Sequence, residues 1–139
     1  MENNGFRKKV VTVGVFDFFH LGHLNVLEAA KKHGDYLIVA VHDDKLNTKG
    51  VEFLYSLEER MRFVESIKCV DEVIPYERVD LLLPKIDFDV FAYGPDQNHQ
   101  YFQKAFEWCE QNNKEMVMLQ RTEGISSTRI REIINKKEV

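Results

Sequence analysis

Five short stretches of this chain are apolar or β-branched almost without a break, and between them apolar residues recur at helical spacing. The strand-like stretches are Lys9–Val15, Tyr36–Val41, Val70–Pro75, which Asp71 and Glu72 interrupt, Asp89–Tyr93 and Met116–Leu119. Each is short enough for a strand and too short for a buried helix. The helical pattern covers Leu21–Lys32, where Leu24, Leu27 and Ala30 form one stripe and Gly34 reads as the stop. It returns at Leu57–Lys68, with Ser56 as N-cap and Glu59 completing a capping box. Val79–Ile86 reads as a short helix, Gln100–Gln111 as a longer one, and Thr128–Asn135 as a closing helix.

Strands that are apolar on every residue are buried on both faces, which is the habit of parallel sheets. Alternation with helices points the same way. The pattern predicts an α/β fold: one Rossmann-like domain over residues 1–139, with about five mostly parallel strands and helices on both faces. Ligands of such sheets bind beyond the carboxyl ends of the strands. Three junctions follow strand ends, Gly14–His23, Tyr93–Asp96 and Arg121–Thr128, so the fold places them on one edge.

Composition narrows the function. With 19 basic and 23 acidic residues the net charge is −4, which argues against general attraction to nucleic acid or anionic membrane. Any anion site must be local. Cys69 and Cys109 lack metal-ligand spacing and read as reduced thiols of a cytoplasmic protein. Met1–Gly5 does not read as a secretory leader, and no apolar run is long enough to span a membrane.

The chemistry concentrates at two loop-to-helix junctions. His20 and His23 stand three apart at the start of the first helix, with Gly22 keeping the space between them open. A helix N-terminus offers unsatisfied N–H groups to a phosphate, and imidazole donates to phosphate oxygens. Two other readings stand beside this one: ordinary histidines near a turn, or a metal site with Asp17 as third ligand. No further His, Cys or carboxylate sits at helical spacing to complete the metal site. The second junction, Arg121–Arg131, is rich in hydroxyls and positive charge. Neither is a Walker loop or a dinucleotide fingerprint.

Gly14-Val15-Phe16-Asp17-Phe18-Phe19-His20-Leu21-Gly22-His23 resembles the GxFDxxHxGH signature of the nucleotidyltransferase family of cytidylyltransferases. Ile125-Ser126-Ser127-Thr128-Arg129-Ile130 resembles the second signature of that family, ISSTxI. The longer run Arg121–Thr128 is similar to a segment of its bacterial glycerol-3-phosphate branch, as are Gly34–Val41 and Val70–Pro75. The likeness extends from about Val10 to Ile134.

The resemblance implies transfer of a nucleotidyl group from CTP to a small alcohol phosphate, glycerol 3-phosphate first, giving a CDP-alcohol and pyrophosphate. A phosphate oxygen attacks the α-phosphorus with no covalent enzyme intermediate. His20 and His23 would contact the triphosphate, and Asp17 would lie near the metal or the attacking phosphate. Arg121 and Thr122 would sit against the nucleotide, with Ser126, Ser127 and Thr128 on its outer phosphates. Gly14, Val15, Phe16, Gly22, Asp96 and Ile125 complete the expected nucleotide site. Lys49 matches a lysine that reaches the phosphates; its other reading is a solvated lysine in the long loop Asp43–Tyr55, which also holds Lys45. Arg60 and Lys68 are expected at the acceptor with Asp17 and Lys49, although Arg60 also reads as a surface partner of a nearby acid. Mg²⁺ is expected to bind through the nucleotide phosphates with no dedicated protein site. A homodimer is implied.

Departures from the glycerol-phosphate pattern concern the acceptor. Val15 replaces a threonine, Lys68 an arginine, Cys69 an aromatic and Pro95 an acid, and Gln97–Tyr101 is unlike that pattern. Phosphoethanolamine, phosphocholine, a sugar phosphate, or adenylyl transfer to FMN remain alternatives, as does a nucleotide-binding module without catalysis. Phe102, Phe106 and Trp108 read as core or subunit contact.

Overall fold

The computed structural model describes residues 7–43, 53–120 and 133–134. Strands β1 (Lys9–Gly14), β2 (Tyr36–His42), β3 (Glu72–Tyr76), β4 (Val90–Tyr93) and β5 (Glu115–Met118) form one sheet in the order β3-β2-β1-β4-β5. Every pairing is parallel. The helices are α1 (Leu21–Lys31), α2 (Leu57–Glu65), α3 (Val79–Leu82) and α4 (Gln100–Gln111), with a 3₁₀ turn at Leu83–Lys85.

The alternation of strand residues explains the two faces. Val10, Leu37, Val39, Val41, Val90 and Ala92 pack with Leu27 and Ala30 of α1 and Val64 of α2. Val11, Val13, Ile38, Ala40 and Phe91 pack on the opposite side with Val79, Phe102, Ala105 and Cys109 of α3 and α4. Helices therefore cover both faces, and Phe102 and Trp108 belong to the second core.

Local chemistry sets the boundaries. The capping box on α2 is present: Glu59 N–H donates to Ser56 Oγ at 3.1 Å and Ser56 N–H to Glu59 Oε1 at 3.0 Å. This helix ends at Glu65, short of the expected Lys68. Ser66 turns its hydroxyl back to Arg62 O at 3.0 Å, and Ile67 N–H bonds Val64 O, three residues back. Such bonds tighten the chain out of α geometry. Gly34 follows α1, but its requirement is steric: a Cβ there would lie 2.4 Å from Lys8 O, where the chain turns to enter β2. Of the closing helix expected at 128–135, Ile133 and Ile134 are helical and exposed; its other residues lie outside the described ones.

The chain moves from β1 outward through β2 to β3, then crosses back to β4 and β5. The direction reverses beside β1. That switch point opens a crevice at the carboxyl edge.

Candidate active site at the carboxyl edge

Immediately after β1, Phe16 and Phe18 adopt φ of 57° and 50°. Left-handed phenylalanines are strained and persist only where their surroundings hold them. Phe16 is buried, and its ring lies 2.9 Å from where a Gly14 Cβ would stand, which is why position 14 carries no side chain. Asp17, between the two, is 3% exposed. Its carboxylate accepts Leu54 N–H at 2.7 Å and Tyr55 N–H at 3.1 Å. Asp17 thus ties the β1–α1 loop to the residues that precede α2.

His20 is the N-cap of α1, with extended backbone at φ −145° and ψ 178°. Its Nδ1 accepts Gly22 N–H at 3.0 Å, and His23 Nδ1 accepts His20 N–H at 3.1 Å. The two histidines therefore make a capping box from imidazoles, the roles usually taken by Ser and Glu. Their rings stack with centroids 4.0 Å apart. An Nδ1 that accepts a hydrogen bond carries no proton, so in the neutral ring Nε2 is the donor. Two N–H donors are held side by side at a helix N-terminus.

Protonation opposes this arrangement. Burial pushes the pKa of His23 down to about 4, helped by the neighbouring His20 and resisted by Asp17. Burial lowers the pKa of His20 as well. Phe16 and Phe19, with centroids 5.5 and 5.1 Å from His23, supply the apolar surroundings.

Arg60 does not lie on the surface, where one of its two readings placed it. It is 0% exposed, so it is no surface partner of an acid. Nε donates to Tyr55 O at 3.0 Å, and Nη1 to Val15 O at 3.0 Å and His42 O at 2.8 Å. Phe53 lies over the guanidinium at 4.8 Å. Lys68 is exposed in the turn after α2, where the chain returns to the start of β3. That is the amino edge of the sheet, opposite His20 and His23.

The β4–α4 loop completes the described part of the crevice. Gln97 was not singled out by its own chemistry in the sequence. Its Nε2 donates to Val13 O at 2.8 Å and its Oε1 accepts Gly94 N–H at 2.9 Å. It therefore bridges the ends of β1 and β4 at the switch point. A turn directly after a buried strand is the one sequence signal for it; the partner, 84 residues away, leaves none. Asp96 is exposed on the same loop.

The structure thus brings together Gly14, Val15, Phe16, Asp17, His20, Gly22, His23 and Arg60, and places Gly94–Gln97 on the same edge. β5 carries the described chain to Gln120 at that edge. Lys45, Lys49, Arg121, Thr122, Ile125, Ser126, Ser127 and Thr128 lie outside the described residues. Among the described residues no three His, Cys, Asp or Glu side chains cluster as a metal site. Nor is any described helix long and apolar enough to cross a membrane.

The sequence model of a family described as "Cytidylyltransferase-like" matches residues 11–133. The glycerol-3-phosphate cytidylyltransferase of Bacillus subtilis is 41% identical over 131 residues, 91% of this chain and 97% of that one. An FAD synthase of Ferroglobus placidus is 45% identical over 93 residues, 66% of this chain and 61% of that one. In fold, the chain superposes on a crystal structure described as the lipopolysaccharide core biosynthesis protein from Thermoplasma volcanium with a TM-score of 0.70 at 23% identity. That match covers 84% of this chain and 98% of the other.

Proposed function

The chain belongs to the cytidylyltransferase-like family and is an enzyme of nucleotidyl transfer; from that premise we propose that its donor is CTP and its acceptor glycerol 3-phosphate. An acceptor phosphate oxygen forms the new bond to the α-phosphorus, the bond to the β-phosphate oxygen breaks, and pyrophosphate leaves. Such transfer rests on positioning and on charge stabilisation.

The observation that carries this reading is the stacked pair His20 and His23, whose Nδ1 atoms accept backbone N–H groups and so leave Nε2–H as the donor of each neutral ring. Two preorganised donors at a helix N-terminus suit an α-phosphate whose oxygens gain charge as the bond to pyrophosphate breaks. The neutral state suits donation, since no proton need be gained or lost. Asp17 holds the loop that presents them. We assign the outer phosphates to Ser126, Ser127 and Thr128, the nucleotide to Arg121 and Thr122, and the acceptor phosphate to Lys49.

Mg²⁺, in this proposal, is held by triphosphate oxygens and water and neutralises charge there. Both Asp17 oxygens accept backbone N–H groups, which fits an ion brought in by the nucleotide more than a carboxylate cage. A cytoplasmic homodimer belongs to the same proposal, and Lys68 can serve an acceptor only if a second copy delivers it.

Support for the glycerol acceptor is the 41% identity that spans nearly the full length of both chains. The FAD synthase likeness favours a second reading, adenylyl transfer to FMN, over about two thirds of this chain. Pyrophosphate release with CTP or ATP, against alcohol phosphates and FMN, separates these. The highest kcat/KM is expected for CTP with glycerol 3-phosphate. Tenfold faster turnover of another alcohol phosphate would overturn the acceptor, and faster turnover of ATP with FMN would overturn the base. No release with any pair would leave a binding module.

A further inference from the structure

Two charged side chains are almost wholly buried beside the histidine loop, and the expected chemistry accounts for neither burial. Asp17 is 3% and Arg60 0% exposed. Burying a guanidinium is costly unless its donors meet acceptors. Arg60 meets three carbonyls from separate segments: Val15 just past β1, His42 at the end of β2, and Tyr55 before α2. A planar fork can serve several acceptors at once, which the point charge of a lysine cannot do in the same geometry.

These bonds close a ring. Asp17 takes the N–H of Tyr55, Arg60 takes the C=O of Tyr55, and Arg60 also takes the C=O of Val15, two residues before Asp17. The ring encloses Phe16, one of the two left-handed residues, and the other, Phe18, directly follows Asp17. Beyond Phe18 and Phe19 the chain reaches His20, the N-cap. A strained loop needs an outside restraint, and this one is restrained from α2.

We infer that Arg60 is a positioning residue: it holds the strained Val15–Phe19 loop so that His20 and His23 stand as paired Nε2–H donors, and it does not contact the acceptor phosphate. The inference rests on the proposed transfer reaction for its kinetic consequence alone. The bond His42 O–Arg60 adds the end of β2 to the same assembly, so one side chain sets three segments of the carboxyl edge.

Arg60→Lys tests it. At saturating CTP and glycerol 3-phosphate, kcat should fall at least about tenfold, since misplacement by about 1 Å can cost about a hundredfold. Both KM values should stay within about threefold. Imidazole ¹⁵N spectra without substrate should show the Nδ1-acceptor pattern of His20 and His23 lost or averaged. A raised acceptor KM with unchanged kcat and unchanged imidazole signals would overturn the inference and return Arg60 to the acceptor. A lower Tm with kcat and imidazole signals unchanged well below melting would also overturn it, leaving a purely structural arginine. If Arg60→Lys does not fold, Phe53→Leu carries the test. It removes only the ring stacked 4.8 Å from the guanidinium. A smaller fall in kcat, by about twofold or more, and the same spectral change are expected; an unaltered kcat and spectrum would overturn the inference. A wild-type enzyme without turnover would count against the proposed function, while the imidazole spectra would still decide the role of Arg60.

Discussion

His23 accepts the backbone N–H of His20 on Nδ1 at 3.1 Å while its ring stacks on that of His20 at 4.0 Å. One residue pair therefore caps a helix and leaves two Nε2–H donors, and the two roles can be separated. His20→Asn keeps a side-chain acceptor at the N-cap but loses the Nε2–H; His20→Ala loses both. Urea denaturation should find Asn near wild type and Ala destabilised by about 1 kcal/mol. Both should lose about 10²–10³ in kcat. An active, folded His20→Asn enzyme would show that the cap is the whole role of the residue.

Acid should weaken the fold before the carboxylates titrate. The folded pKa of His23, about 4, lies below its ordinary 6.5, so the unfolded chain takes up a proton first. The stability is fully present above about pH 6.5 and falls as pH drops toward 4, by up to about 1.4 kcal/mol per unit. Denaturation midpoints at pH 7.5, 5.5 and 4.5 measure this. His23→Asn should flatten the trend across that window, and an equal slope in both proteins would refute the assignment.

Gln97 joins Val13 to Gly94 across the switch point through two hydrogen bonds. Gln97→Leu removes both and should reduce stability by about 2 kcal/mol, at about 1 kcal/mol per bond. CTP affinity measured by calorimetry should fall with it, because the crevice between β1 and β4 loses its tie. An unchanged urea midpoint would refute the bridge.

Lys49 carries the acceptor phosphate in the proposed reaction. Lys49→Ala should raise the KM for glycerol 3-phosphate by roughly tenfold or more, the loss of one charge-assisted bond. The Kd for CTP should change far less. A larger effect on CTP would move Lys49 to the triphosphate.

Much of this was determined by the sequence alone, because it depends on near neighbours. Unbroken apolar runs such as Tyr36–Val41 require burial on both faces, which in turn requires parallel pairing and helices above and below. Ser56 and Glu59 set the start of α2, and the order of elements places His20 and His23 at a helix N-terminus on the carboxyl edge. Those features are read along the chain, from runs, caps and the order of elements, without any contact between distant residues.

Tertiary structure alone decided what each charged residue meets. The sequence gives no sign of the amides that Asp17 accepts from, which lie 37 and 38 residues away. Arg60 reads in one way as a surface partner of an acid, yet it is buried and donates to the carbonyls of Val15 and His42, 45 and 18 residues away. Lys68 is near the site in the pattern of motifs but on the opposite edge of the sheet in space, because α2 runs back antiparallel to the strands before β3 begins. Hydrophobic periodicity is a local property of the chain. A hydrogen-bond partner across the sheet depends on which strand ends converge, and no spacing along the chain encodes that.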